Sequence, residues 1–247
     1  MFGLLDELCI KKDENRYDNT DDKYLVKIEK SKNSNSKDEV WICFLPWHTN
    51  IKKAKKFNLL PRNKNLIIVQ EPNILAAYDP KIAKKLLLEL DIKIDHLINS
   101  NFKHYKINVL TISIGTYPGT YFANKHRAKK VILLVPGDKL GKCIYTGDVT
   151  VDVKVNAVNH GFNTANWYDE ILKGTNPIEN IKFLPNNNVE VHLAMSDRYI
   201  KTKEGLRLVE KLKKENKISK LHKYYFFGHI ETILLFGIKN KLGLQIW

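Results

Sequence analysis

The stretch that most constrains this chain is Ile107 to Arg127, INVLTISIGTYPGTYFANKHR. It opens with Ile107 to Ile114, a run rich in β-branched residues, the composition of a buried strand. Gly115 and Gly119 then bracket Thr116, Tyr117 and Pro118, and a helix-compatible segment follows with Tyr121, Phe122, Ala123 and Ala128 as its apolar members. Small residues two before and two after Tyr117 permit a strained turn that displays the central side chain. A buried strand, a tight turn and a helix in immediate succession make an α/β unit.

The flanking sequence repeats that alternation. Glu39 to Pro46, Asn65 to Gln70, Lys130 to Pro136 and Val189 to Asp197 read as buried strands. Lys23 to Ser31 alternates like an edge strand, and Tyr224 to Gly228 reads as the last strand. Asn50 to Phe57 is predicted as a short exposed helix. Asp79-Pro80 opens a longer one, with Asp as cap and Pro in the first turn. Its apolar stripe of Ile82, Leu86, Leu87, Leu90, Ile94 and Leu97 faces the core. Lys203 to Asn216 and Ile230 to Phe236 are further helices. Between Asp138 and Asn188, the alternation of Val149, Val151, Val153 and Val155 predicts an exposed strand. Phe162, Trp167, Tyr168, Ile171 and Leu172 predict a short amphipathic helix with an aromatic face.

Over roughly residues 39–237 these segments resemble the α/β-hydrolase family, whose nucleophile stands on a strand-turn-helix elbow. Gly115-Thr116-Tyr117-Pro118-Gly119 is similar to that elbow, Asp197 ends the strand that carries the family's acid, and Gly228-His229 matches its histidine loop. The resemblance implies a three-layer α/β-hydrolase-like fold with a mostly parallel central sheet spanning 22–247. It also implies a small lid insertion at about 138–188 and leaves 1–21 as a loosely attached leader. Tyr117, Asp197 and His229 become the candidate triad, and Trp47 and His48, with Pro118, the oxyanion loop.

Two departures from the family then shape the functional expectation. A phenol with an ordinary pKa of about 10 is a weak nucleophile at neutral pH. Pro118, next to it, has no N–H for the oxyanion hole, and losing one such donor costs on the order of 100–1,000-fold. The expectation is therefore a degenerate site in a non-hydrolytic protein that binds a small-molecule ligand or a protein partner. The alternative is an active acyl-ester hydrolase or acyltransferase-like enzyme with an altered Tyr117-Asp197-His229 site, or one using the neighbouring Thr116.

Charge and cysteine usage narrow the partners. The net charge is +14, yet of 41 basic residues only Arg16, Arg62, Arg127, Arg198 and Arg207 are arginine. Lysine spread along the chain argues against specific nucleic-acid binding, which draws on Arg and interleaved aromatics. Cys9, Cys43 and Cys143 have no metal-ligand spacing, so reduced thiols, no metal and no cofactor are expected. No run reaches the ~18 apolar residues of a membrane span. A cytoplasmic protein is expected.

Overall fold

The computed structural model describes residues 27–32, 38–47, 49–70, 78–244 and 247. The expected leader, Cys9, His48 and the 71–77 loop lie outside the described residues.

Among the described residues seven strands form one sheet: β1 (Lys27–Ser31), β2 (Glu39–Phe44), β3 (Asn65–Gln70), β4 (Lys106–Ile112), β5 (Lys130–Leu134), β6 (Val189–Ala194) and β7 (Ile218–Tyr224). Their order is β1-β3-β2-β4-β5-β6-β7. β1 runs antiparallel to β3, and every other neighbouring pair is parallel. The central strands are apolar almost throughout because helices cover both faces. One face packs Val40, Ile42, Val109 and Val131 under α2 (Pro80–Asn101), α3 (Thr116–Lys125) and α7 (Thr202–Lys214). The other packs Trp41, Cys43, Leu110 and Ile132 under α1 (Ile51–Lys56) and α8 (His229–Lys241). This is the expected three-layer arrangement.

Local signals behave as elementary chemistry dictates. Asp79 caps α2, accepting from the Lys81 N–H at 2.8 Å, and Pro80 takes the first turn. Leu86, Leu87, Leu90 and Ile94 are buried along its inner face. Asn50 caps α1 in the same way through Lys53 N–H.

Three expectations need correction. The valine-rich segment is not a strand but helix α5 (Val151–Asn159), one of three helices between β5 and β6 with α4 (Leu140–Thr146) and α6 (Ala165–Ile171). Its buried residues are Val153 and Ala157, one helical turn apart, while Val151 and Val155 stay exposed. Alternating valines favour a strand only if a partner edge is in reach, and tertiary packing decided otherwise. The last strand is Ile218–Tyr224, not Tyr224 to Gly228. Lys220, His222 and Lys223 give it the half-polar pattern of a border strand, whereas Phe226 is 94% exposed in the following loop. The last helix begins at His229 and runs to Lys241, beyond the expected Phe236.

Close helix-to-sheet contact holds α3 in place. A Cβ on Gly119 would fall 2.3 Å from Thr111 Cγ2 and 3.0 Å from the Phe44 ring, so α3 rests directly on β4 and β2. Gly119→Ala should lower the unfolding free energy by about 1–3 kcal/mol through overpacking, despite alanine's better helix propensity. Urea denaturation checks this; a neutral or stabilising change would contradict the contact.

Candidate functional site

The turn between β4 and α3 lies four residues earlier than the glycine bracket suggests. Ser113 has φ +56°, the left-handed region that a non-glycine residue rarely occupies. It opens a single 3₁₀ turn, Ser113–Gly115, from which α3 starts at Thr116. Gly115, two residues on, is where the returning chain crosses β2, and a Cβ there would stand 2.6 Å from the Phe44 carbonyl oxygen. Thr111 occupies the position two before. Its hydroxyl lies 3.4 Å from that of Thr116, buried between strand and helix. The strained displayed residue is thus Ser113.

Asp197 and His229 converge on it. Asp197 follows β6, and its Oδ1 accepts the Tyr199 and Ile200 N–H groups at 2.8 and 2.9 Å. Its Oδ2 is 2.7 Å from His229 Nδ1. His229 is the first residue of α8, stacked against the Tyr199 ring at 4.9 Å. Its Nε2 lies 2.7 Å from Ser113 Oγ. All three residues are buried. The loops bearing Asp197 and His229 are joined by the Ser196 N–H bonding the Phe227 carbonyl at 3.2 Å.

The expected residues therefore divide. Asp197 and His229 meet as the chain order suggested. Tyr117 is not at the turn: it lies in the first turn of α3, and its hydroxyl is 2.9 Å from Thr175 Oγ1 of the β5–β6 insertion. Thr116 is buried at the start of the same helix. Pro118 is five residues past Ser113, in the first turn of α3, where a missing N–H disturbs no helical bond. The residue that follows Ser113 is Ile114, which has an N–H. Trp47 lies beside the cavity, in the loop after β2, and His48 is not described. Sequence reasoning missed Ser113, although Thr-x-Ser-x-Gly at the end of a buried strand was a visible signal.

These residues open onto a cavity of about 1010 Å³, part of it open to solvent. Ile114, Leu140, Ile144, Ile200, Ile230 and Ile233 make much of its wall, with Lys139 as a charged member. Cys143 also lines it, but burial and then the nearby Asp138 carboxylate push its thiol well above the usual range, leaving it neutral. Among the described residues, two sets of metal-ligating side chains converge elsewhere: Glu190, His192 and His222, and Asp91, Asp95 and His126.

Comparisons with known proteins agree with this architecture. No protein-family model matches the chain, and no curated protein matches it in sequence. Among solved structures, the chain is similar to Pyrococcus horikoshii acylaminoacyl peptidase, with a TM-score of 0.63 and 10% identity over 89% of this chain. It spans only 38% of that protein. Porphyromonas gingivalis dipeptidyl peptidase 4 gives a TM-score of 0.57 at 11% identity, covering 88% of this chain and 33% of that one. Pyrococcus furiosus esterase PF2001 gives 0.54 at 15%, with 89% and 88% covered. At these identities the likeness concerns the fold alone: the chain has an α/β-hydrolase fold.

One carboxylate behind the cavity wall should give the fold a pH signature. Asp169 of α6 accepts the Gly141 and Lys142 N–H groups at 2.7 and 3.2 Å, holding the start of α4. Burial outweighs those bonds and raises its pKa from 3.8 to about 6. Because the folded pKa lies above the unfolded one, the folded state binds more protons between about pH 4 and 6. Stability should fall by about 3 kcal/mol as pH rises through that window and level off above it. In Asp169→Asn that component of the slope should vanish, as measured by denaturant unfolding at pH 4.5 and 7; an unchanged slope would refute the assignment.

Proposed function

We propose that this protein is a serine hydrolase of acyl esters or related acyl bonds, with Ser113 as nucleophile, His229 as general base and Asp197 orienting the imidazole. One observation carries the reading: His229 bridges Ser113 Oγ and Asp197 Oδ2 at 2.7 Å on each side. That relay lets the imidazole take the hydroxyl proton as Oγ attacks a carbonyl and return it to the leaving group. The oxyanion would be held by the N–H of Ile114, directly after the nucleophile, with the Trp47 N–H as second donor. Pro118 removes neither. The idle-site expectation rested on placing Tyr117 and Pro118 at the elbow, so its two objections do not apply to Ser113.

The apolar cavity wall favours a substrate with a hydrocarbon acyl or aryl group beside the scissile carbonyl. The structural neighbours include peptidases and an esterase. The mostly apolar cavity wall supports the ester side for this chain. Buried free thiols at Cys43 and Cys143 suit the reducing, cytoplasmic setting expected from the sequence.

Short-chain p-nitrophenyl esters and a fluorophosphonate probe test the reading. Ser113→Ala should lose probe labelling and at least about a thousandfold in kcat, with His229→Ala comparable. Asp197→Asn should lose on the order of ten-thousandfold. Tyr117→Phe and Pro118→Ala should keep most of the activity. Turnover that survives Ser113→Ala but disappears in Tyr117→Phe would transfer the role to the phenol. An unreactive wild type whose unfolding midpoint rises with a small molecule would return the binding-protein reading.

A further inference from the structure

The β6–β7 pair carries a converging set of side chains away from the cavity. Glu190 and His192 stand two residues apart on β6, so both leave the same face of the sheet. Parallel pairing sets His192 opposite His222 on β7. The two imidazoles stack with centroids 4.4 Å apart and planes 15° apart, so their Nε2 atoms lie side by side. Glu190 Oε1 stands there, 3.1 Å from each of them. The three ligand atoms all lie within 4.8 Å of one another.

We infer that Glu190, His192 and His222 form a binding site for a divalent cation of the zinc type, held by two imidazole nitrogens and one carboxylate oxygen. Tetrahedral zinc keeps such ligands at about 2.0–2.1 Å, which places neighbouring donor atoms about 3.3 Å apart. Glu190 Oε1 already stands 3.1 Å from each Nε2, and a turn of the half-exposed His222 ring out of the stack would aim both imidazole lone pairs at the ion. Donor chemistry excludes the harder ions, since magnesium and calcium prefer all-oxygen shells whereas imidazole suits zinc, cobalt and nickel. Glu190 and His192 are 4% and 1% exposed, while the His222 side chain is 37% exposed, so an ion has an entry path and a place for a fourth, solvent ligand. Tyr224 OH, 2.9 Å from His192 Nδ1, orients that ring from behind, as partners of ligating histidines do. In the other converging set, Lys125 bridges the Asp91 and Asp95 carboxylates, and His126 is the lone imidazole. A bound ion would clamp the two strands whose ends lead to Asp197 and His229.

The test uses the untagged full chain with Zn²⁺ alone, by calorimetry and thermal unfolding, and with Co²⁺ as a visible-absorption reporter. One equivalent of Zn²⁺ should bind, and a hundredfold excess over Kd should raise the midpoint by roughly 5 °C or more. His222→Ala, at a half-exposed position, and Glu190→Gln should each weaken binding about a hundredfold or more. Co²⁺ should show tetrahedral bands that both variants lose, and His126→Ala should leave binding unchanged. Absence of saturable binding, full binding by both variants, or loss only in His126→Ala would overturn the assignment.

Discussion

Much of the site depends on how near α3 lies to the sheet. Two of its contact points admit no side chain at all: Gly115 against the Phe44 carbonyl and Gly119 against Thr111. With the helix that low, the chain leaving β4 has no length in which to turn gradually. It reverses over a single 3₁₀ turn, and the residue at the corner is driven to positive φ. Strain of this kind costs about 1–3 kcal/mol and persists only when its surroundings over-determine it. Here the packing of β2, β4 and α3 does so, and the result is a hydroxyl lifted off the end of the sheet.

The remaining two groups reach that hydroxyl through a different device. β6 and β7 are adjacent and parallel, so the loops beyond them emerge side by side. A helix start fixes His229, and two backbone N–H groups fix one oxygen of Asp197, leaving the other free to hold the imidazole. The buried hydrogen bonds run in one line, from backbone amides through carboxylate and imidazole to Ser113. Each group is oriented by the one before it, which is how preorganised sites avoid reorganising during reaction.

The sheet, most helices and the Asp197–His229 meeting were legible because buried parallel strands are continuous apolar runs and because Asp197 and His229 follow adjacent strands. What escaped was register. Periodicity shows which side chains share a face but not where a strand stops, and a serine at positive φ looks like any other serine. The paired glycines drew the turn toward Tyr117, yet one of them serves the elbow and the other serves helix packing. Thr111, in place of a small residue before Ser113, hid the motif further. The α5 valines and the polar β7 failed for a related reason, since only neighbouring elements decide whether an alternating segment pairs. The His192–His222 juxtaposition depends on strand pairing that includes an irregularity between Val189 and Glu190, and no local pattern announces it.

The two borders of the sheet give the chain's abundant lysine a physical place. Among the described residues β1 and β7 are the outermost strands, and each carries exposed lysines, Lys30 on one and Lys220 with Lys223 on the other. A second molecule approaching either border to extend the sheet would bring ammonium groups together as its amides began to pair. Such strands act as gatekeepers against intermolecular β-assembly. Positive charge that resembles an invitation to polyanions would at these borders oppose such pairing, and screening by salt would relax that opposition first.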